Sequence, residues 1–123
     1  MDKNFTIGFV GLGLIGGSIA KTIKRVFPNY KIVGFDEDSE TLREALTERT
    51  IDVVADDCGK DFADCSYIFL CAPVQHNIKY LQILKGVVGP DCILTDVGSV
   101  KGEIHREVEK LEMEEYFIGG HPM

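Results

Sequence analysis

Hydrophobic residues along this chain alternate between compact apolar runs and wider spacings of three or four, and this alternation predicts strands and helices in turn. Compact runs are typical of strands buried in a parallel sheet, and they fall at residues 5–10, 31–35, 52–55, 67–72, 92–95 and 116–119. Helical spacing is found at residues 14–27, from Asp38 or Ser39, from Pro73, and at 101–113. The regular alternation predicts a single α/β domain over residues 1–123, with a doubly wound, mostly parallel sheet of the Rossmann type.

Each predicted helix carries one apolar stripe. The first helix places Ile15, Ile19, Ile23 and Val26 on one side and ends before Pro28. The stripes of the later helices consist of Leu42, Ala45 and Leu46; of Ile78, Leu81, Leu84 and Val88; and of Ile104, Val108 and Leu111.

The loops that follow the predicted strands are the candidate functional region. Ligands of open parallel sheets bind outside the carboxyl ends of the strands, where the strand order reverses. These loops are Gly11–Gly16, Asp36–Asp38, Cys71–Val74, Asp96–Lys101 and Gly120–Pro122. His76 and His105, in contrast, are expected on exposed helix faces, without a role.

The turn after the first strand contains Gly11, Gly13 and Gly16 in G-x-G-x-x-G spacing. The first glycine permits a tight turn, the second leaves room for a pyrophosphate, and the third lets helix and strand pack closely. The helix that begins with Leu14 and Ile15 directs its free N–H groups and its positive dipole end at the same place. The pattern predicts a dinucleotide phosphate site, and the alternative is an ordinary glycine-rich turn.

Asp36 stands at the end of the second predicted strand, where a carboxylate accepts hydrogen bonds from the adenosine ribose hydroxyls and repels a 2′-phosphate. This position favours NAD over NADP as the cofactor, and the alternative is an acidic surface residue. Ala72 and Pro73 are expected to line the cofactor with backbone atoms, because proline at a helix start sacrifices no needed donor. Gly98, after the fifth strand, is assigned to the same cofactor site.

Composition argues against several other classes of protein. No apolar run approaches membrane-spanning length, and the first residues lead straight into a strand, so neither an anchor nor a signal peptide is expected. The net charge is −7, and residues 36–61 account for all of it with ten acidic and three basic residues, which argues against nucleic acid and anionic membranes as partners. The four cysteines show no C-x-x-C spacing, so we expect a cytoplasmic protein without a disulfide framework or a metal site.

Five segments extend the argument to a particular family. They are GLGLIGGSIA at 11–20, GFD at 34–36, LCAPV at 70–74, TDVGSVKG at 95–102 and FIGGHPM at 117–123. Together they resemble the nucleotide-binding domain of the prephenate and arogenate dehydrogenases of tyrosine biosynthesis. The first two segments would fit many NAD enzymes, the last two are much more specific, and all five occur in the family's order.

The resemblance implies an NAD-dependent oxidoreductase acting on a small molecule. Prephenate would lose a hydride to the nicotinamide, a proton from its hydroxyl, and carbon dioxide, giving 4-hydroxyphenylpyruvate; arogenate would give tyrosine. The family's catalytic histidine falls at His121, and a serine that hydrogen-bonds it and contacts the substrate falls at Ser99. Histidine suits this role because its ordinary pKa, about 6.5, lets it accept a proton at neutral pH.

Without the resemblance, these loop residues have plainer interpretations. His121 is then better explained as a polar residue near a chain end, and Ser99 is equally well explained as a helix N-cap. Lys101 either attracts a carboxylate substrate or simply begins a helix. Asp96 is expected to be a buried support residue and not a catalyst.

Family members continue beyond the His-Pro-Met segment into a helical domain that dimerises and supplies substrate-binding groups, whereas this chain ends at Met123. We therefore expect the 123-residue chain to be a monomer that binds NAD with negligible turnover, and the full-length protein to be a homodimer. Two other interpretations stay open: the cofactor domain of another small hydroxyacid dehydrogenase, and a stand-alone NAD(H)-binding sensor. Prephenate and arogenate both stay open as the substrate.

Overall fold

The computed structural model describes residues 5–55, 59–89 and 91–97, together with the backbone of 117–119. The strands are β1 (Thr6–Val10), β2 (Lys31–Phe35), β3 (Val53–Val54), β4 (Tyr67–Leu70), β5 (Ile93–Asp96) and β6 (Phe117–Gly119). The helices of these residues are α1 (Leu14–Val26), α2 (Ser39–Thr47) and α3 (Val74–Lys85), and a short 3₁₀ helix spans Lys60–Phe62. The helix predicted at 101–113 lies outside the described residues. Within the described ranges, no helix combines the length and the apolar character needed to cross a membrane.

All six strands form one parallel sheet in the order β3-β2-β1-β4-β5-β6. The chain moves outward from β1 to β3, then returns to the other side of β1 to begin β4, so the strand order reverses between β1 and β4. The register pairs Val10 with Phe35 on one side and with Leu70 on the other, and Leu70 with Asp96. The four strands therefore end at one edge, and the predicted doubly wound α/β class is confirmed.

Each face of the sheet is covered by its own hydrophobic core. Successive side chains of a strand point to opposite faces, and in β1 Ile7 and Phe9 belong to one core whereas Val10 belongs to the other. The first core includes Ala20 of α1 and Leu42 and Ala45 of α2. The second core includes Tyr80, Leu81 and Leu84 of α3. The sheet is thus a central layer with helices on both sides, which leaves the carboxyl edge of the strands as the place for a ligand.

The first turn of α2 settles which residue caps that helix. Asp38 is the N-cap, and its side chain accepts a hydrogen bond from the Glu40 N–H at 3.1 Å. Of the two predicted caps, Asp38 and Ser39, the aspartate is therefore the one used, and Ser39 becomes the first helical residue.

The apolar stripes predicted for α1 and α2 are buried only in part. Ile15 and Val26 are 57% and 56% exposed, and Leu46 is 45% exposed, so these three residues of the stripes are not buried. The face of α1 that meets the strands is centred on the small residues Gly16 and Ala20, both buried. When a helix packs on a sheet through small residues, its larger branched side chains lie at the edge of the contact.

Candidate functional site

Gly11 forms the turn that leaves β1, and the surrounding backbone requires a glycine there. Its φ is +92°, a conformation that residues with a side chain rarely adopt. Its N–H donates to the Phe35 carbonyl at 2.7 Å, and a Cβ on Gly11 would lie only 2.6 Å from the Ala72 N atom. The turn is therefore held between the ends of β2 and β4, at the point where the strand order reverses.

Gly13 and Gly16 serve different purposes in the same turn. Gly13 is the N-cap of α1, and a Cβ built on it would meet no atom within 4 Å. A Cβ on Gly16 would lie 2.7 Å from the Gly11 carbonyl oxygen and 3.1 Å from the Cys71 Cβ. Close packing explains why residue 16 is a glycine, whereas nothing in the fold requires a residue without a side chain at Gly13. The open space in front of the α1 N-terminus suits a phosphate group, which binds to the free N–H groups of a helix start.

Asp36 follows β2 directly, and its carboxylate lies against the glycine turn. The Leu12 N–H donates to Oδ2 at 2.8 Å, and the Asp38 N–H donates to Oδ1 at 2.9 Å. Each carboxylate oxygen can accept more than one hydrogen bond, so acceptor capacity remains for the two hydroxyls of a ribose. Asp36 is thus placed for the predicted role and also braces the turn, a second role that sequence spacing did not suggest.

These residues line one cleft of about 280 Å³ at the carboxyl edge of the sheet. The glycine turn, the loop after β2, the loop after β4 and one face of α3 form its walls, through Gly11, Gly13, residues 36–38, residues 71–73, His76 and Tyr80. Ala72 and Pro73 lie in the wall of this cleft, with Pro73 as the N-cap of α3, and their contact with a cofactor stays a prediction. The bare Gly13, the Asp36 carboxylate and the cleft at the strand reversal together fit a dinucleotide.

A larger cleft, of about 580 Å³, lies between α1 and α2. It shares Leu12 and Gly13 with the glycine turn, and the rest of its wall comes from the sides of the two helices and from Thr50. Its size does not make it the better candidate, because ligands of doubly wound sheets bind beyond the strand ends and not between flanking helices.

His76 and Tyr80 line the candidate cleft, although the sequence interpretation gave His76 no role. Tyr80 donates its hydroxyl to Glu37 Oε1 at 3.0 Å, and His76 Nδ1 lies 3.8 Å from Glu37 Oε2. His76 is exposed, as expected, but it also lines the cleft. The available signal was the spacing of four between His76 and Tyr80, which puts both on one face of a helix that begins at the candidate loop.

Cys71 lines the cleft, and Asp96 lies close enough for its carboxylate to act on the Cys71 thiol. Asp96 is fully buried, in agreement with its expected support role. Burial, together with the nearby Asp96 carboxylate, raises the pKa of the Cys71 thiol to about 12. A thiol with so high a pKa is neutral at physiological pH and is a poor nucleophile. Cys71 therefore lines the site without serving as a reactive group, and Cys65, Cys71 and Cys92 are all free thiols.

This pKa predicts that Cys71 resists alkylation in the folded protein. At pH 7.5 we expect its reaction with iodoacetamide to be about a thousand-fold slower than that of an unperturbed cysteine, because only the thiolate reacts. Peptide-resolved mass spectrometry of the labelled chain measures the rate, and the same chain in concentrated urea provides the control. Equal rates with and without urea would contradict the raised pKa.

Several predicted site residues cannot be placed by this structure. Gly98, Ser99, Lys101 and His121 lie outside the described residues, so their assignments stay predictions. Leu14 is the first residue of α1, and Ile15 follows it with an exposed side chain. Both lie in the helix turn beside the cleft, which agrees with a backbone contribution to phosphate binding.

The strand order, the glycine turn and the Asp36 carboxylate together define a class of protein, the Rossmann-type dinucleotide-binding domains. A family model described as prephenate dehydrogenase, nucleotide-binding domain, matches residues 19–123. The chain belongs to this family, as its sequence motifs predicted.

Individual relatives agree with the family assignment. The chain is 35% identical over 120 residues to the prephenate dehydrogenase of Bacillus subtilis, covering 96% of this chain and 32% of that protein. It is 27% identical over 118 residues to the cyclohexadienyl dehydrogenase of Zymomonas mobilis, covering 95% of this chain and 40% of that protein. The chain therefore spans about a third of the length of the curated relatives it matches.

Among solved structures, the chain is similar to the prephenate dehydrogenase of A. aeolicus in complex with hydroxyphenyl propionate and NAD+. The TM-score is 0.87 at 30% identity, covering all of this chain and 43% of that one. The Synechocystis arogenate dehydrogenase gives a TM-score of 0.84 at 35% identity, covering 95% of this chain and 40% of that one. The described fold is thus that of the cofactor domain in both kinds of enzyme.

Proposed function

We propose that this chain is the NAD-binding part of a prephenate or arogenate dehydrogenase, which oxidises and decarboxylates its substrate in tyrosine biosynthesis. The observation that carries the proposal is the cleft at the strand reversal, where the unfilled space at Gly13 and the carboxylate of Asp36 face the same opening. Membership of the prephenate dehydrogenase family supplies the class of reaction. When bound, NAD accepts a hydride from the substrate carbon that bears the hydroxyl.

The residues of this chain would divide the work between binding and proton transfer. The backbone of the glycine turn and the first turn of α1, including Leu14 and Ile15, would hold the pyrophosphate. Asp36 would hold the adenosine ribose, and Ala72, Pro73 and Gly98 would line the rest of the cofactor.

His121 is proposed to accept the proton of the substrate hydroxyl, with Ser99 as its hydrogen-bonding partner. Support comes from β6, whose last residue Gly119 pairs with Asp96 at the carboxyl edge of the sheet. In the sequence, His121 follows Gly119 by two residues. The proton is removed as the carbon–oxygen double bond forms. The bond to the carboxylate then breaks and its electrons enter the ring, so carbon dioxide leaves and the ring oxygen takes up a proton. A base with a pKa near neutrality suits both proton transfers.

The remaining features of the proposal concern the whole protein. The relatives are about three times as long as this chain, and we propose that the rest supplies a helical domain, completes the substrate pocket and forms a homodimer. The 123-residue chain would then be one dinucleotide-binding domain, monomeric, ending at the catalytic His-Pro segment. A cytoplasmic location is proposed from the spacing of the cysteines and from membership of a family of biosynthetic enzymes.

The test is to measure binding and turnover separately in the 123-residue chain and in the complete reading frame. We expect the short chain to bind NAD in a calorimetric titration but to reduce it negligibly with either prephenate or arogenate, because part of the pocket would be missing. The complete protein is expected to reduce NAD with one of the two substrates.

Three other results would change the proposal. An ordinary turnover rate in the short chain would show that the pocket is complete without the remaining sequence. NAD binding with no turnover in the complete protein would favour the sensor interpretation. Reduction of NAD with a different hydroxyacid would favour the other dehydrogenases.

A further inference from the structure

The end of the cleft beyond Asp36 is crossed by a bridge between the loop after β2 and helix α3. Glu37 supplies one side of the bridge, and its two carboxylate oxygens face Tyr80 and His76 at 3.0 Å and 3.8 Å. All three residues line the same cleft as Asp36. Glu37 is therefore not an ordinary surface acid, since a neighbouring helix holds it at the rim of the site.

Tyr80 is a rigid support for this bridge. It is only 5% exposed, and its ring packs edge-on against Phe35 with the centroids 5.9 Å apart. Phe35 immediately precedes Asp36, so this ring contact joins Tyr80 to the end of β2. A buried phenol keeps its hydroxyl in one place, and a hydrogen bond to a charged acceptor is stronger than one between neutral groups.

The two neighbouring carboxylates have different local partners. Asp36 accepts hydrogen bonds from the backbone N–H groups of Leu12 and Asp38, whereas Glu37 is held by side chains of α3. Asp38 also lines the cleft, and the described lining residues include no lysine or arginine. The field at this end of the cleft is therefore negative.

We propose that Glu37, held by Tyr80 at the rim of the cleft, is a second determinant of cofactor selectivity and excludes dinucleotides with a 2′-phosphate. The inference rests on the proposed function, because it assumes that the adenosine ribose binds at Asp36. A 2′-phosphate on that ribose would carry up to two negative charges into a partly enclosed space that already holds Glu37. The repulsion acts at short range because Tyr80 holds the Glu37 carboxylate in place, and added salt screens it because the Glu37 side chain is 57% exposed. The preference for NAD therefore has two sources and survives the loss of Asp36 alone.

Glu37→Gln tests the proposal, because it removes the charge but keeps an oxygen that the Tyr80 hydroxyl can reach. We expect NADP to bind about five-fold more tightly than to the unaltered protein, with NAD affinity changed by less than about two-fold. The gain should shrink as salt is added. Calorimetric titrations with NAD, NADP, AMP and 2′,5′-ADP measure the ratios, and the last two ligands isolate the contribution of the 2′-phosphate because they differ only in that group.

Glu44→Gln is the matched control. Glu44 is an exposed acid of α2 that lines the cleft between α1 and α2 and not the cofactor cleft. Its replacement makes the same change in net charge, so it should leave the NADP to NAD ratio unaltered. Tyr80→Phe keeps the ring and removes the donor, and it should give a smaller gain for NADP because Glu37 is then no longer held in place.

Three results separate the failure of this inference from the failure of the proposed function. If Glu37→Gln shifts the ratio no more than Glu44→Gln, Glu37 has no part in selectivity, although NAD binding stands. If the unaltered protein binds NAD and NADP equally, the inference is likewise overturned. If it binds neither dinucleotide, the proposed function fails and the inference fails with it.

Discussion

Replacing Gly13 with alanine is expected to weaken NAD binding about a hundred-fold, or about 2.7 kcal/mol, while leaving the fold intact. The added Cβ would meet no protein atom within 4 Å, so the folded chain accommodates it. The same methyl group would stand in the space where a pyrophosphate approaches the N-terminus of α1, and the ligand would be pushed away from the N–H groups that hold it. Calorimetric titration with NAD, together with urea unfolding, measures both quantities.

Gly11→Ala is the natural comparison within the same turn, because its effect should be on the fold. Its φ is +92°, and its Cβ would lie 2.6 Å and 2.9 Å from the N and Cα atoms of Ala72. We expect the free energy of unfolding to fall by about 3 kcal/mol from backbone strain and overpacking. If Gly13→Ala bound NAD normally, or lost as much stability as Gly11→Ala, the open space at Gly13 would not be the phosphate site.

The overall architecture was predictable because its signals are local. Strands buried on both faces need continuous apolar runs, and the turn after β1 needs glycine at Gly11, whatever the rest of the chain does. Asp36 was predictable for a similar reason, because a Rossmann-type unit brings the end of β2 next to the glycine turn. Hydrophobic spacing alone did not show which residues of α1 are buried. Gly16 and Ala20 are the buried residues of this helix among those with described side chains, and the predicted apolar stripe does not include them.

The bridge at the rim of the cleft could not be predicted, because it depends on the order of the strands. Glu37 and Tyr80 are 43 residues apart in sequence and meet only because β4 lies directly beside β1. Sequence spacing places His76 and Tyr80 on one face of α3, but it does not say what that face meets. Contacts of this kind follow from tertiary structure, and they contain the part of the site that the motifs did not reveal.

Asp36→Ala is expected to weaken NAD binding about thirty-fold and to destabilise the fold by about 2 kcal/mol. The first effect follows from the loss of hydrogen bonds between a charged acceptor and the ribose hydroxyls, and the second from leaving the Leu12 N–H without its acceptor. Leu12 is buried, so water does not easily replace the carboxylate. NADP should lose less affinity than NAD, yet NAD should remain the tighter ligand because Glu37 is still in place.

Asp36→Asn separates the two roles of this carboxylate. The amide keeps one oxygen, which can accept from Leu12, but it has no charge and can accept fewer hydrogen bonds. The stability of the Asp36→Asn protein should therefore lie closer to that of the unaltered protein. Its ratio of NADP affinity to NAD affinity should rise as it does in Asp36→Ala. Titration of both cofactors and urea unfolding of both variants measure the difference. An affinity ratio that neither variant changes would remove Asp36 from the ribose site and leave it only as the brace of the glycine turn.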